Sequence, residues 1–169
     1  QEIALENAKD VILQVAKEYE KISGRSYGLF EEYRTEDADY IMLLMGSAAG
    51  TAKQAVDDLR AQGKKVGVIK LRVFRPFPAK ELAQALAKAK AVAILDRCES
   101  YNGNGGPLGS EVTAGLFRNK VMIEAVNYIY GLAGRDFTVN EVYDIFAELE
   151  DGVTNGKEIE QYQYIGLRK

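Results

Sequence analysis

The chain contains no histidine and no tryptophan, only three prolines, and a single cysteine, Cys98. Without histidine it lacks the usual general base, the proton shuttle that works near neutral pH, and the commonest zinc ligand. One cysteine excludes an internal disulfide and also an iron–sulfur cluster, which typically takes four thiolates. No apolar run approaches the roughly 20 residues a bilayer-crossing helix needs, so no membrane partner is expected. Neither sign of charge dominates: 22 Lys and Arg stand against 25 Asp and Glu, a net charge of −3. Phosphate-backbone binding needs clustered cations, so nucleic acid is not an expected partner either. The opening Gln1-Glu2-Ile3 has neither an initiator Met nor a basic n-region. That reads as a chain without a signal peptide, excised from a longer one, with the cytoplasm as its default location.

What is present suits one α/β domain with helical extensions: 169 residues, 47% hydrophobic and 28% charged, enough to bury a core. Residues 1–22 carry Ala4, Ala8, Val11, Val15, Tyr19 and Ile22 at three- and four-residue steps, the spacing of an amphipathic helix. Ser23-Gly24 ends it, and residues 25–37 form a charged, Tyr-rich connector. The continuous apolar run Tyr40 to Met45 predicts a strand covered on both faces, and Gly46-Ser47 leads from it into a helix carrying Ala52, Val56 and Leu59. Lys65 to Val73 reads as a second strand, and Pro78 opens a helix with Leu82, Ala85, Leu86 and Ala89. Ala91 to Leu95 is a third strand, ending in Asp96-Arg97, and the glycine-rich loop Asn102 to Gly109 leads to a short helix with Val112 and Leu116. Val121 to Tyr130 is a fourth strand, and Thr138-Val139-Asn140-Glu141 has the form of a capping box before a helix burying Val142, Ile145, Phe146 and Leu149. From Asp151 the chain turns polar and ends in a Tyr-rich tail. The strand–helix alternation predicts an open, mostly parallel sheet with helices on both faces. The expected division is 1–37, 38–150 and 151–169.

In such sheets ligands lie beyond the carboxyl ends of the strands. Gly46-Ser47 can offer helix-start N–H groups and a hydroxyl to an anion; the plainer reading, which is preferred, has Ser47 capping its helix and Gly46 permitting the turn. Arg72 and Arg75 can clamp a phosphate or carboxylate, or pair with Asp or Glu of a neighbouring loop or subunit, again the preferred reading. Gly46, Ser47, Arg72 and Arg75 are thus the candidate anion or interface residues. The stretch Ser100 to Pro107 matches neither common phosphate-loop template, since Leu108 falls where a third glycine belongs and no G-K-[ST] follows. Its glycines are read as permitting tight packing. Arg135-Asp136 can pair across its turn or cap the next helix. Cys98 has no histidine to activate it, and Glu99 and Glu111 form a carboxylate pair only if their loop folds back. No catalytic residue and no metal ligand is expected.

Several motifs occur in one order: Gly24-Arg25, Tyr27 through Arg34, Glu36 through Tyr40, Gly46-Ser47, Gly63 through Gly67, Arg72 through Pro78, Asp96-Arg97, Gly106-Pro107-Leu108 and Gly131 through Asp136. This series, over roughly residues 1–150, resembles the second domain of pyruvate:ferredoxin oxidoreductases, which is like the C-terminal domain of transketolase. Asn102 stands as an extra residue relative to that pattern. The resemblance implies a parent enzyme of anaerobic metabolism that oxidatively decarboxylates a 2-oxoacid, pyruvate foremost. It would use thiamine diphosphate, Mg, coenzyme A and iron–sulfur clusters, and pass electrons to ferredoxin. It further implies that this chain binds none of those cofactors and is inactive alone. The chain would pack against the remaining domains or subunits, with residues 1–22 as the helix arriving from a preceding domain. Two other readings stand beside it. One is a regulatory module binding an anion such as the coenzyme A phosphates. The other is the C-terminal domain of a transketolase-like or 2-oxoacid dehydrogenase enzyme.

Overall fold

The computed structural model describes residues 2–101 and 104–167. The extra Asn102 therefore lies outside the described residues. Strands β1 (Phe30–Tyr33), β2 (Tyr40–Met45), β3 (Val66–Leu71), β4 (Ala91–Asp96), β5 (Glu124–Ile129) and β6 (Tyr162–Tyr164) form one sheet in the order β1-β3-β2-β4-β5-β6. Every pairing is parallel except β1 with β3. The open, mostly parallel sheet expected from the alternation is therefore present.

Both faces are buried, and the side-chain alternation of a strand assigns neighbouring residues to opposite sides. Tyr40, Met42 and Leu44 of β2, with Val68, Ala93, Leu95, Val126 and Tyr128, pack under α2 (Ala48–Ala61) and α5 (Val139–Asn155). Ile41 and Leu43, with Ile69, Leu71, Val92 and Ile94, pack under α3 (Ala79–Leu86) and α4 (Pro107–Arg118). A run such as Tyr-Ile-Met-Leu-Leu-Met is thus apolar throughout because neither face meets water. The capping box at α5 is formed as expected: the Glu141 amide donates to the Thr138 hydroxyl, and the Thr138 amide to the Glu141 carboxylate.

Two short strands were not expected. Phe30–Tyr33, inside the presumed connector, pairs antiparallel with β3, Phe30 opposite Leu71 and Tyr33 opposite Val68. Tyr162–Tyr164, inside the polar tail, pairs parallel with β5, Asn127 opposite Tyr162. Both are edge strands of four and three residues, too short to show the hydrophobic periodicity that marks a strand in sequence.

The first helix, α1 (Glu2–Ser23), occupies the expected span but not the expected environment. Ile3, Val11, Val15, Tyr19 and Ile22 are exposed, Val11 by 57% and Ile22 by 85%. Its half-buried residues are Ala8, Lys9, Ile12, Leu13, Ala16 and the terminal Ser23, and Lys9 Nζ donates to Glu81 of α3 at 3.1 Å. The apolar stripe lies beside the line of contact, not along it.

Candidate functional site at the carboxyl edge of the sheet

Strand β2 continues into α2 on one face, while its neighbour β4 continues into α4 on the other. Adjacent parallel strands whose connections diverge in this way open a crevice at their carboxyl ends, the usual ligand position in doubly wound sheets. Ser47, Ala48 and Thr51 from the start of α2, Arg97 after β4, Tyr130 after β5, and Arg135, Asp136 and Phe137 before α5 line a pocket there of about 360 Å³.

Gly46 occupies the left-handed region with φ 76°, so the turn between β2 and α2 is one that glycine favours. Ser47 stands at the N-cap position of α2, yet its side chain makes no capping hydrogen bond because its backbone is already helical (φ −73°, ψ −26°). An N-cap side chain reaches the first-turn amides from an extended backbone, and the capping reading of Ser47 does not hold for this reason. Arg97 lies over the Tyr130 ring, 5.8 Å from its centre, and Nη2 donates to the Gly131 carbonyl at 3.5 Å. Burial pushes the Tyr130 phenol up from its ordinary pKa, with Arg97 opposing and Asp96 reinforcing the shift. Tyr130 also packs on Phe137, ring centres 4.8 Å apart. Arg135 and Asp136 are not ion-paired with each other, and Thr138 caps α5 instead.

The other two candidate residues lie elsewhere. Arg72 donates from Nη2 to Glu31 at 2.6 Å and stacks over Tyr27 at 4.7 Å. Glu31 also holds Lys53 of α2. Arg75 donates to Glu111 at 2.5 Å and lies over Phe74 at 4.3 Å. Both guanidinium groups are committed to carboxylates and aromatic faces, and neither lines the crevice with Ser47; Gly46 makes the turn before it and is not in the lining either. Glu99 bonds the Tyr162 hydroxyl at 2.7 Å while Glu111 pairs with Arg75, so the two carboxylates are not brought together.

The glycine-rich loop is closed by the protein's own carboxylate. Buried Asp96 accepts from the amides of Leu108 (2.9 Å) and Gly109 (2.8 Å) at the start of α4, and from Asn127 Nδ2 at 3.0 Å. Asn127 Oδ1 in turn accepts from the Gly106 amide at 2.7 Å. The helix start that might have held a phosphate is filled from within. Its glycines are needed for contact: a Cβ on Gly106 would overlap Asp96, and one on Gly105 or Gly109 would overlap Asn127. Neither Asp96 as a cap nor Asn127 as its partner was evident in the sequence, where Asp96 showed only as a polar strand end.

A family model described as pyruvate:ferredoxin oxidoreductase core domain II matches residues 38–142. The chain belongs to that family. This domain II chain is 39% identical over 166 residues to pyruvate synthase subunit PorA of Thermotoga maritima, covering 98% of this chain and 41% of that one. It is 44% identical over 167 residues to ketoisovalerate oxidoreductase subunit VorA of Pyrococcus horikoshii, covering 98% of this chain and 42% of that subunit. It therefore spans well under half the length of these relatives. Among solved structures, a 2-oxoglutarate:ferredoxin oxidoreductase from Magnetococcus marinus, with 2-oxoglutarate, coenzyme A and succinyl-CoA bound, superposes with a TM-score of 0.55 at 19% identity over 73% of this chain and 20% of that chain. That likeness concerns the fold. The family match favours an oxidoreductase domain over the free-standing anion-binding module and over the transketolase-like alternative. Among the described residues no helix is long and apolar enough to cross a membrane.

Proposed function

We propose that this domain II chain is a non-catalytic structural part of an assembled, cytoplasmic 2-oxoacid:ferredoxin oxidoreductase, with pyruvate as the 2-oxoacid, acyl-CoA as product and ferredoxin as electron acceptor. The observation that carries this reading is α1, whose Val11, Val15 and Ile22 present exposed apolar surface, continued by the partly exposed ring of Tyr19, which packs on Tyr27. A contiguous apolar face of that kind marks a protein–protein interface. Residues 38–150 would form the domain body, with 1–37 and 151–169 as flanking segments that each lend an edge strand. The remaining domains or subunits of the enzyme are the proposed occupants of the exposed helix face.

The residues present do not fit the clusters or the metal-bound diphosphate such an enzyme uses. A cluster takes four thiolates and the chain offers Cys98 alone. Among the described residues no group of three or more His, Cys, Asp or Glu side chains converges to hold a metal. The α4 start, where a diphosphate would sit, already holds Asp96. Thiamine diphosphate, Mg, coenzyme A and clusters are assigned to the rest of the enzyme.

The test is made in the complete enzyme with Val11→Asp and Val15→Asp together. Both side chains are exposed in the chain itself, so the domain should keep its thermal midpoint while assembly, followed by sedimentation, and 2-oxoacid-dependent ferredoxin reduction are lost together. An enzyme that assembles and turns over normally with both aspartates would remove the interface role. Comparing kcat/KM for pyruvate, 2-oxoglutarate and a branched-chain 2-oxoacid tests the substrate separately. Identity does not decide it, since the 39% match acts on pyruvate by name and the 44% match on ketoisovalerate.

A further inference from the structure

The crevice between β2 and β4 holds more hydrogen-bond donors than the protein satisfies. Arg97 and Arg135 both line it, and neither is ion-paired among the described residues, in contrast to Arg72 and Arg75. Asp136 is the single carboxylate in the lining, so the two guanidinium charges outnumber it. Ser47 and Thr51 line the same wall, and neither hydroxyl has a protein partner among the described residues. Between them lies the first turn of a 14-residue helix with no side-chain cap, whose amides carry the positive end of the helix dipole. Tyr130 and Phe137 supply an aromatic wall.

We propose that this crevice binds a phosphate or phosphate monoester. The guanidinium groups of Arg97 and Arg135 would hold its charge, and Ser47, Thr51 and the α2 amides would donate to its remaining oxygens. The donor count selects the ligand class. Two planar forks, two hydroxyls and the helix-start amides exceed the roughly four lone-pair sites of one carboxylate. A phosphate dianion has more acceptor oxygens and the tetrahedral spread to use them. The chemistry is independent of the interface role, because α1 contributes nothing to the pocket. It also uses different arginines from those first singled out in the sequence: tertiary packing pairs Arg72 and Arg75 but leaves Arg97 and Arg135 without an ion pair among the described residues.

Inorganic phosphate titrated into the 169-residue protein should shift the Ala48, Ala49 and Thr51 amide resonances along one saturable curve. Arg97→Ala and Arg135→Ala should each weaken the apparent Kd roughly tenfold or more, the effect of losing one charge-assisted fork. Arg97 is exposed and Arg135 half-buried, so the fold should survive either change. Arg97→Lys, which keeps the charge and loses the fork, should fall between. Arg75→Ala, which removes an equal charge from the Glu111 pair, should leave the curve unaltered. A monoester that binds more tightly than free phosphate would identify the aromatic wall as part of the site, whereas equal affinity would make free phosphate the ligand. No saturable shift, an equal loss in Arg75→Ala, or acetate binding as tightly as phosphate would each overturn the proposal.

Discussion

Asp96 organises the carboxyl edge at the level of single residues. Its carboxylate is buried, with 6% of the residue exposed, and replaces solvent for two helix-start amides and the Asn127 amide. Removing one partner of such an arrangement leaves buried donors unsatisfied, at a cost of about 2–4 kcal/mol. Asp96→Ala should lower the urea midpoint accordingly, and Gly106→Ala should do the same by driving a Cβ into Asp96. The two costs should be less than additive in the double variant, because the alanine at 96 removes Cγ and Oδ2, two of the three atoms that clash, although Cβ stays. Full additivity in a double-variant cycle would show that the two positions do not act through one contact. A polar strand end followed by glycines was legible in the sequence. The cap was not, because Asp96 reaches amides 12 and 13 positions on and an amide 31 positions away.

Among the elements, β1 is held to the sheet by charge as much as by its ladder. Glu31 bonds Lys53 of α2 and Arg72 after β3, which keeps its carboxyl below the ordinary value of 4.5, the Lys53 hydrogen bond contributing most and burial opposing. A depressed carboxylate stabilises the fold fully above its unfolded value and loses that contribution as pH falls through the lower folded value. Glu31→Gln should therefore have a lower thermal midpoint than the parent at pH 6–7. The two curves should draw together as pH falls below the unfolded carboxyl value, about 4.3, and through the lower folded one. A gap that widens on acidification would contradict this origin of the stability. The long elements β2, α2, β4 and α5 were legible because their runs and stripes extend over whole turns or faces. Four residues with two glutamates, Phe30–Tyr33, form a strand only because β3 offers an open edge at that point.

Across the whole molecule, one sheet serves two cores. Tyr40, Met42 and Leu44 face one helical layer and Ile41 and Leu43 the other, so neither layer can unfold without exposing the same strands. Helix α1 stands outside this arrangement, joined mainly by half-buried Ile12 and Leu13 and the Lys9–Glu81 pair. Deletion of residues 1–24 should leave a single calorimetric transition, with the midpoint moved by no more than about 5 °C, roughly 1–2 kcal/mol at this size. Two transitions in the shortened chain, or failure to fold, would place α1 within the cooperative unit.

By itself the sequence determined which segments become buried strands and helices, since hydrophobic period and turn residues act within a few positions of each other. The ordered loop motifs likewise pointed to the family that the comparisons show. Only the tertiary structure decided the strand order, and with it the crevice between β2 and β4. It alone decided that Arg72 and Arg75 meet Glu31 and Glu111 while Arg97 and Arg135 meet no carboxylate among the described residues. An arginine's partner is set by residues tens of positions away, 41 for Arg72 and 36 for Arg75. Charge pairing across that distance follows from how the strands are laid side by side.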